Sequence, residues 1–202
     1  IYTLSLHDAL PISEEADPIR AEGQVEAISH LIDVGRYAMA EQTCRRALAH
    51  DPDDAVLHAL LGLALTFQNR HEAAENAARQ ALALAPEQPH IHGICGAISM
   101  QRGRHRQAER HFLDAIGLDP LDADAYVQYG RLMFKTGHLD RAERVLRHAL
   151  SLAPEEPDAH QLLGLVLGER GSRRPAEAHG LKALALAPEE ELNHYSLGIS
   201  SL

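Results

Sequence analysis

Small and apolar residues recur along this chain at a fixed interval of 34 residues. In a frame that places Pro52, Pro86, Pro120, Pro154 and Pro188 at position 32, position 8 carries Gly62, Gly96, Gly130, Gly164 and Gly198, with Ile28 in the first unit. Position 20 is Ala40, Ala74, Ala108, Ala142 and Ala176, and position 27 is Ala47, Ala81, Ala115, Ala149 and Ala183. Leu82, Ile116, Leu150 and Leu184 follow those last alanines and are expected to form the spine of the core, each facing the next unit.

A period of this length predicts a stacked helical repeat. Small residues at positions 8 and 20 suit two antiparallel helices where their axes approach most closely. Gly35, Asn69, Gly103, Gly137 and Gly171 at position 15 accept the left-handed backbone that closes the first helix. The proline then ends the second helix and sets the turn into the next unit. The units span 21–54, 55–88, 89–122, 123–156 and 157–190, and 191–202 opens a sixth. Ser13 to Arg20 reads as a lead-in linker, because Asp17-Pro18 favours a break.

This pattern resembles the tetratricopeptide repeat, a helix–turn–helix unit of 34 residues with Leu-Gly, Tyr, Ala, Phe, Ala and Pro at set places. The resemblance covers 21–202 and implies an all-α, right-handed α-solenoid of tandem antiparallel helix pairs. Two departures matter. Position 4 is Gln24, His58, His92, Tyr126, His160 and His194, never Trp, and Gly180 stands at the large-residue position 24, which should leave the fifth unit under-packed.

Composition narrows the function. The chain is 45% hydrophobic but 4% aromatic with no Trp, so Ala and Leu must do the packing. A net charge of −10 argues against nucleic acid or an anionic membrane as main partner, and no apolar run approaches the ~20 residues that span a bilayer. Cys44 and Cys95 fall at packing positions of different units and read as buried free thiols. They fit a reducing, cytoplasmic setting; nothing else in the residues addresses localisation.

Tyr2 to Ile12, YTLSLHDALPI, resembles the in-frame translation of a widely used sequencing adapter. Residues 1–12 are therefore set aside as non-native, His7-Asp8 with them. At the other end Leu197 and Ile199 would be left uncovered, and self-association through that end is expected.

No phosphate loop, nucleophile elbow, H-E-x-x-H or paired CxxC occurs, so no catalytic residue, cofactor or metal is expected. The histidines of position 4 recur in successive helix pairs, too far apart to share one ion. Arg102, Arg104, His105, Arg106 and Arg110 read as a solvated basic face.

What remains is a groove. The resemblance implies a concave wall built from positions 2, 5, 9, 12 and 13 of the first helices, which share one helical face. Those positions hold Val56, Ala59, Leu63, Thr66 and Phe67; His90, Gly93, Ala97, Met100 and Gln101; Asp124, Val127, Arg131, Phe134 and Lys135; and Asp158, Gln161, Leu165, Gly168 and Glu169. Leu63, Phe67, Met100, Phe134 and Leu165 make an apolar track, with Arg131 and Lys135 a positive spot near its middle. The expected function is a protein-interaction scaffold that takes a peptide or helix segment there. The alternative is the helical arm of a larger bacterial enzyme of glycosyltransferase or sulfotransferase type.

Overall fold

The computed structural model describes residues 18–187, which form helices in single file and no strand. They are α1 (Pro18–Asp33), α2 (Tyr37–Leu48), α3 (Ala55–Phe67), α4 (His71–Leu84), α5 (Pro89–Gln101), α6 (His105–Leu118), α7 (Ala123–Lys135), α8 (Leu139–Leu152), α9 (Pro157–Glu169) and α10 (Arg173–Leu186). Each odd helix packs on the even helix after it, and each even helix on the odd helix of the next pair. α1 opens at Pro18, inside the stretch read as a lead-in. Proline suits the first position of a helix, where its missing N–H has no intrahelical partner to lose.

Local chemistry sets the helix limits. Asn69 (φ 60°) and the four glycines of position 15 (φ 70–78°) all adopt the left-handed conformation. In the third pair the Gly103 N–H then donates to Met100 O at 3.0 Å and the Arg104 N–H to Ser99 O at 2.9 Å, which satisfies carbonyls the helix end would orphan. Asp54 caps α3 by accepting from the N–H groups of Val56 and Leu57, and Asp122 caps α7 through Asp124. Pro89 and Pro157 open α5 and α9 instead.

The position-4 side chains have a job the sequence did not reveal. His58 Nε2 lies 2.8 Å from the Pro52 carbonyl oxygen, His92 Nε2 2.8 Å from Pro86 O, and His160 Nε2 3.1 Å from Pro154 O. Tyr126 donates its hydroxyl to Pro120 O at 3.3 Å. The second to fifth units thus each latch the proline turn before them through a ring with a polar edge.

The close approach at position 8 is solved in two ways. A Cβ on Gly96 would sit 2.5 Å from the Phe112 ring, and one on Gly130 2.7 Å from Leu146 Cδ2. Where position 24 is small, the backbones themselves close up: a Cβ on Gly164 would meet Ala176 O at 3.2 Å and Gly180 N at 3.4 Å, and one on Gly62 would meet Ala74 O at 3.2 Å. Gly180 is buried, so the fifth pair is not under-packed; its helices have moved together to fill the space.

The core runs along the file as successive clusters and not as one centre. Its largest fully buried side chains include Leu65, Ile91, Phe112, Leu132, Leu146 and Leu163. Leu82, Ile116, Leu150 and Leu184, expected as the spine, are only half-buried. The first helices carry more of that role, because α3, α5 and α7 are each packed on their own partner, on the even helix before them and on the next odd helix.

Ion pairs stitch the junctions. Glu41 accepts from Gln68 (3.0 Å) and Arg70 (2.6 Å) of the following unit, Glu75 pairs with Arg102 (2.7 Å) and Arg104, Glu109 with Arg141 (3.1 Å), and Glu143 with Arg170 (3.1 Å). Arg102 and Arg104 are therefore junction residues and not part of a free basic face. Burial pushes the Glu41 carboxyl up, but hydrogen bonds from Arg45, Arg70 and Gln68 outweigh it and hold the group below its ordinary value. Such exposed pairs contribute about 0.2–1 kcal/mol each, so they set register more than they set stability.

Candidate functional site

Helices α3, α5, α7 and α9 lie side by side, each touching the next odd helix, while the even helices form no comparable row among the described residues. The tighter row is the inner one of a curved file, so the odd helices line the concave wall. Their side chains decide what that wall offers.

Position 5 reaches it only at Gly93. Ala59, Val127 (1% exposed) and Gln161 are all buried, as are Thr66 and Met100 (5%) at position 12. Met100 and Val127 belong to the cluster that also holds Phe112 and Leu132, and they leave the predicted site for the core. The face is rotated slightly from the one spacing implies, because the next odd helix covers its edge.

Val56, Leu63 and Phe67 on α3 remain half-exposed, as do Phe134 on α7 and Leu165 on α9. Phe67 stacks on Tyr37, ring centroids 4.6 Å apart and 9° from parallel, so one of its faces is already occupied. With Met100 withdrawn, the single track becomes two apolar patches, Leu63/Phe67 and Phe134/Leu165. Between them α5 presents His90, Gly93, Ala97 and Gln101.

The positive spot also changes. Arg131 Nη2 lies 2.5 Å from Asp158 Oδ2, an ion pair that ties α7 to α9 and leaves Lys135 as the exposed cation of the predicted pair. Gln128 donates to Asp124 Oδ1 at 3.1 Å. The Asp124 carboxyl is held above its ordinary value, first by burial and then by the nearby Asp122 and Asp158, with Gln128 and Arg131 opposing. Burial lowers the His90 imidazole against the pull of Asp122 and Asp54. Spacing along one helix did not foresee these cross-helix pairings, although Asp124 and Asp158 both stand at position 2 and were readable as a repeated acid.

Cys44 and Cys95 are free and buried, and burial pushes each thiol up to about 12, which keeps both protonated and poor nucleophiles. No described helix is long and apolar enough to cross a membrane. Residues 188–202, with Leu197 and Ile199, and residues 1–12 lie outside the described residues.

A family profile described as tetratricopeptide repeat matches residues 31–98 and 99–166. Among solved structures, a thermophilic TPR protein of Thermus thermophilus superposes with a TM-score of 0.78 at 22% identity, over 90% of this chain and 99% of that one. Pseudomonas aeruginosa pilF gives 0.68 at 19% identity, over 88% and 80%. YrrB, described as a TPR protein with an unusual peptide-binding site, gives 0.58 at 19% identity, over 92% and 95%. No curated protein matches the chain.

Proposed function

The chain belongs to the tetratricopeptide repeat family, whose fold supports a protein-interaction scaffold, and on that premise we propose that the concave wall of α3, α5, α7 and α9 binds an extended peptide segment of a partner protein. The observation that carries this reading is the pair of half-exposed apolar patches, Leu63/Phe67 and Phe134/Leu165, separated by the polar and small residues of α5. Neighbouring helices stand about 8–10 Å apart, so the patches on α3 and α7 are separated by roughly 16–20 Å. An extended strand advances about 3.3 Å per residue, which places two apolar anchors of the ligand five or six residues apart. Peptide binding by YrrB, a protein of the same fold, supports the class of ligand. The net charge of −10 favours a basic or neutral segment over an acidic one. None of the likenesses supports the alternative of an enzyme's helical arm.

Selection from a random peptide library with the full chain tests the proposal. Binders should converge on two apolar residues at that spacing. Leu63→Glu and Leu165→Glu, checked for retained helicity by circular dichroism, should each weaken them at least tenfold. Undiminished binding by both variants would remove the wall as the site.

A further inference from the structure

The third helix pair brings together three side chains that the groove does not use. His92 stands on α5, and His111 and Asp114 stand on α6, three residues apart and hence on one helical face. His92 Nδ1 lies 3.8 Å from Asp114 Oδ2, the two imidazole centroids are 6.0 Å apart, and one donor atom from each residue falls within 4.8 Å of the others. The Pro86 carbonyl 2.8 Å from His92 Nε2 can only accept, so the proton sits on Nε2 and Nδ1 presents a lone pair inward. His92 Nδ1 and His111 Nδ1 are both buried, and neither has a hydrogen-bond partner in the protein.

Two buried, unpartnered ring nitrogens in one cluster with a carboxylate call for a physical account, since such groups are costly to leave unsatisfied. A cation held by one donor atom of each residue would account for the cluster. We infer that His92, His111 and Asp114 form a site for a divalent transition-metal ion, zinc foremost. A backbone carbonyl on the far nitrogen of a ligating histidine is the support such sites use to fix tautomer and ring orientation. Bonds of about 2.0–2.2 Å from imidazole and carboxylate put tetrahedral donor atoms roughly 3.3–3.5 Å apart. The 3.8 Å pair is already near that, and Asp114, half-exposed, is free to turn inward. His111 also borders a cleft of about 290 Å³ between α4, α5 and α6, so the site adjoins an opening and not solid core.

The fifth pair supplies an internal control. His160 and His179 occupy the same two positions, but their Nδ1 atoms hydrogen-bond to each other at 2.8 Å. Lys182 replaces the aspartate and donates to Pro154 O at 3.2 Å. A cation there would face an ammonium, so one site per chain is expected.

The test uses the full chain without a histidine tag, stripped with chelator and titrated with Co²⁺ while its visible d–d absorption is followed, then with Zn²⁺ in competition. One Co²⁺ per chain should bind, Zn²⁺ should displace it, and Asp114→Asn should weaken binding at least tenfold and His111→Gln abolish it. Asp114 is exposed enough that its variant will fold, which circular dichroism checks. Absence of stoichiometric binding below about 100 µM, or binding unchanged in Asp114→Asn and His111→Gln, would overturn the assignment and leave only the background of a chain with 14 histidines.

Discussion

The third and fifth helix pairs share one frame yet solve the same packing problem oppositely. In α5/α6 the Phe112 ring lies over Gly96, whereas in α9/α10 Gly180 replaces the ring and the backbones meet. The same two pairs carry histidines at positions 4 and 23, but position 26 is Asp114 in one and Lys182 in the other. The difference teaches that register and contact are separable. Glycine and proline hold the register, while the bulk at position 24 and the charge at position 26 decide how far apart the helices stand and what lies between them.

Removing the ring should break the contrast most severely. Phe112 is fully buried, so Phe112→Ala should lose about 3–5 kcal/mol in urea unfolding through the cavity it leaves. A midpoint shift no larger than that of an exposed control such as Leu113→Ala would mean that α5 and α6 collapse together as α9 and α10 do. Next in size, Gly96→Ala should cost about 1–3 kcal/mol by overpacking and be partly rescued by Phe112→Leu, because a side chain can yield. Gly164→Ala meets backbone, and trimming His179, the nearest side chain, should not rescue it. Equal rescue at both sites would erase the distinction.

Smaller effects sharpen it. Gly137 has φ 78° and open space around its Cβ position, so Gly137→Ala should cost about 1–2 kcal/mol from the left-handed backbone alone, and Asn69→Gly should be neutral or stabilising. A loss at Asn69→Gly comparable to that at Gly137→Ala would show that the asparagine side chain itself holds its turn.

The smallest expected effect is on pH. Burial lowers His160, with Lys182 adding to it, and lowers His179, with His160, Arg147 and Lys182 adding to it. As the pH falls below the ordinary histidine value of about 6.5, the unfolded chain takes up protons that the folded pair refuses. Stability should therefore fall with acidification there and stay flat above it. The double variant His160→Gln/His179→Gln should show a shallower acid slope in urea midpoints between about pH 7.5 and 5.5, the range that brackets that value; an unchanged slope would count against the pair as its source.

Much of the architecture could be read before any contact was seen. The left-handed backbone at Gly35, Asn69, Gly103, Gly137 and Gly171 follows from residue type, and so does the burial of Cys44 and Cys95. The wall was read only in part. Met100 and Val127 share a helical face with Leu63 and Phe134, and periodicity alone cannot tell the covered edge of that face from its open middle. Arg131 looked like a free cation because Asp158 is 27 residues away. The metal-site residues left one legible trace, His111 and Asp114 three apart on a helix, but His92 joins them only across the turn.

The residues alone determined the helical repeat, the turns that close its first helices and the order of stacking, because caps, turns and small-residue contacts act over a few positions and need no knowledge of the rest of the chain. Tertiary structure decided which nitrogen faces which carboxylate and which apolar side chains stay in water. Those depend on the separation and rotation of neighbouring helices, and these emerge only when side chains from different units compete for the same space.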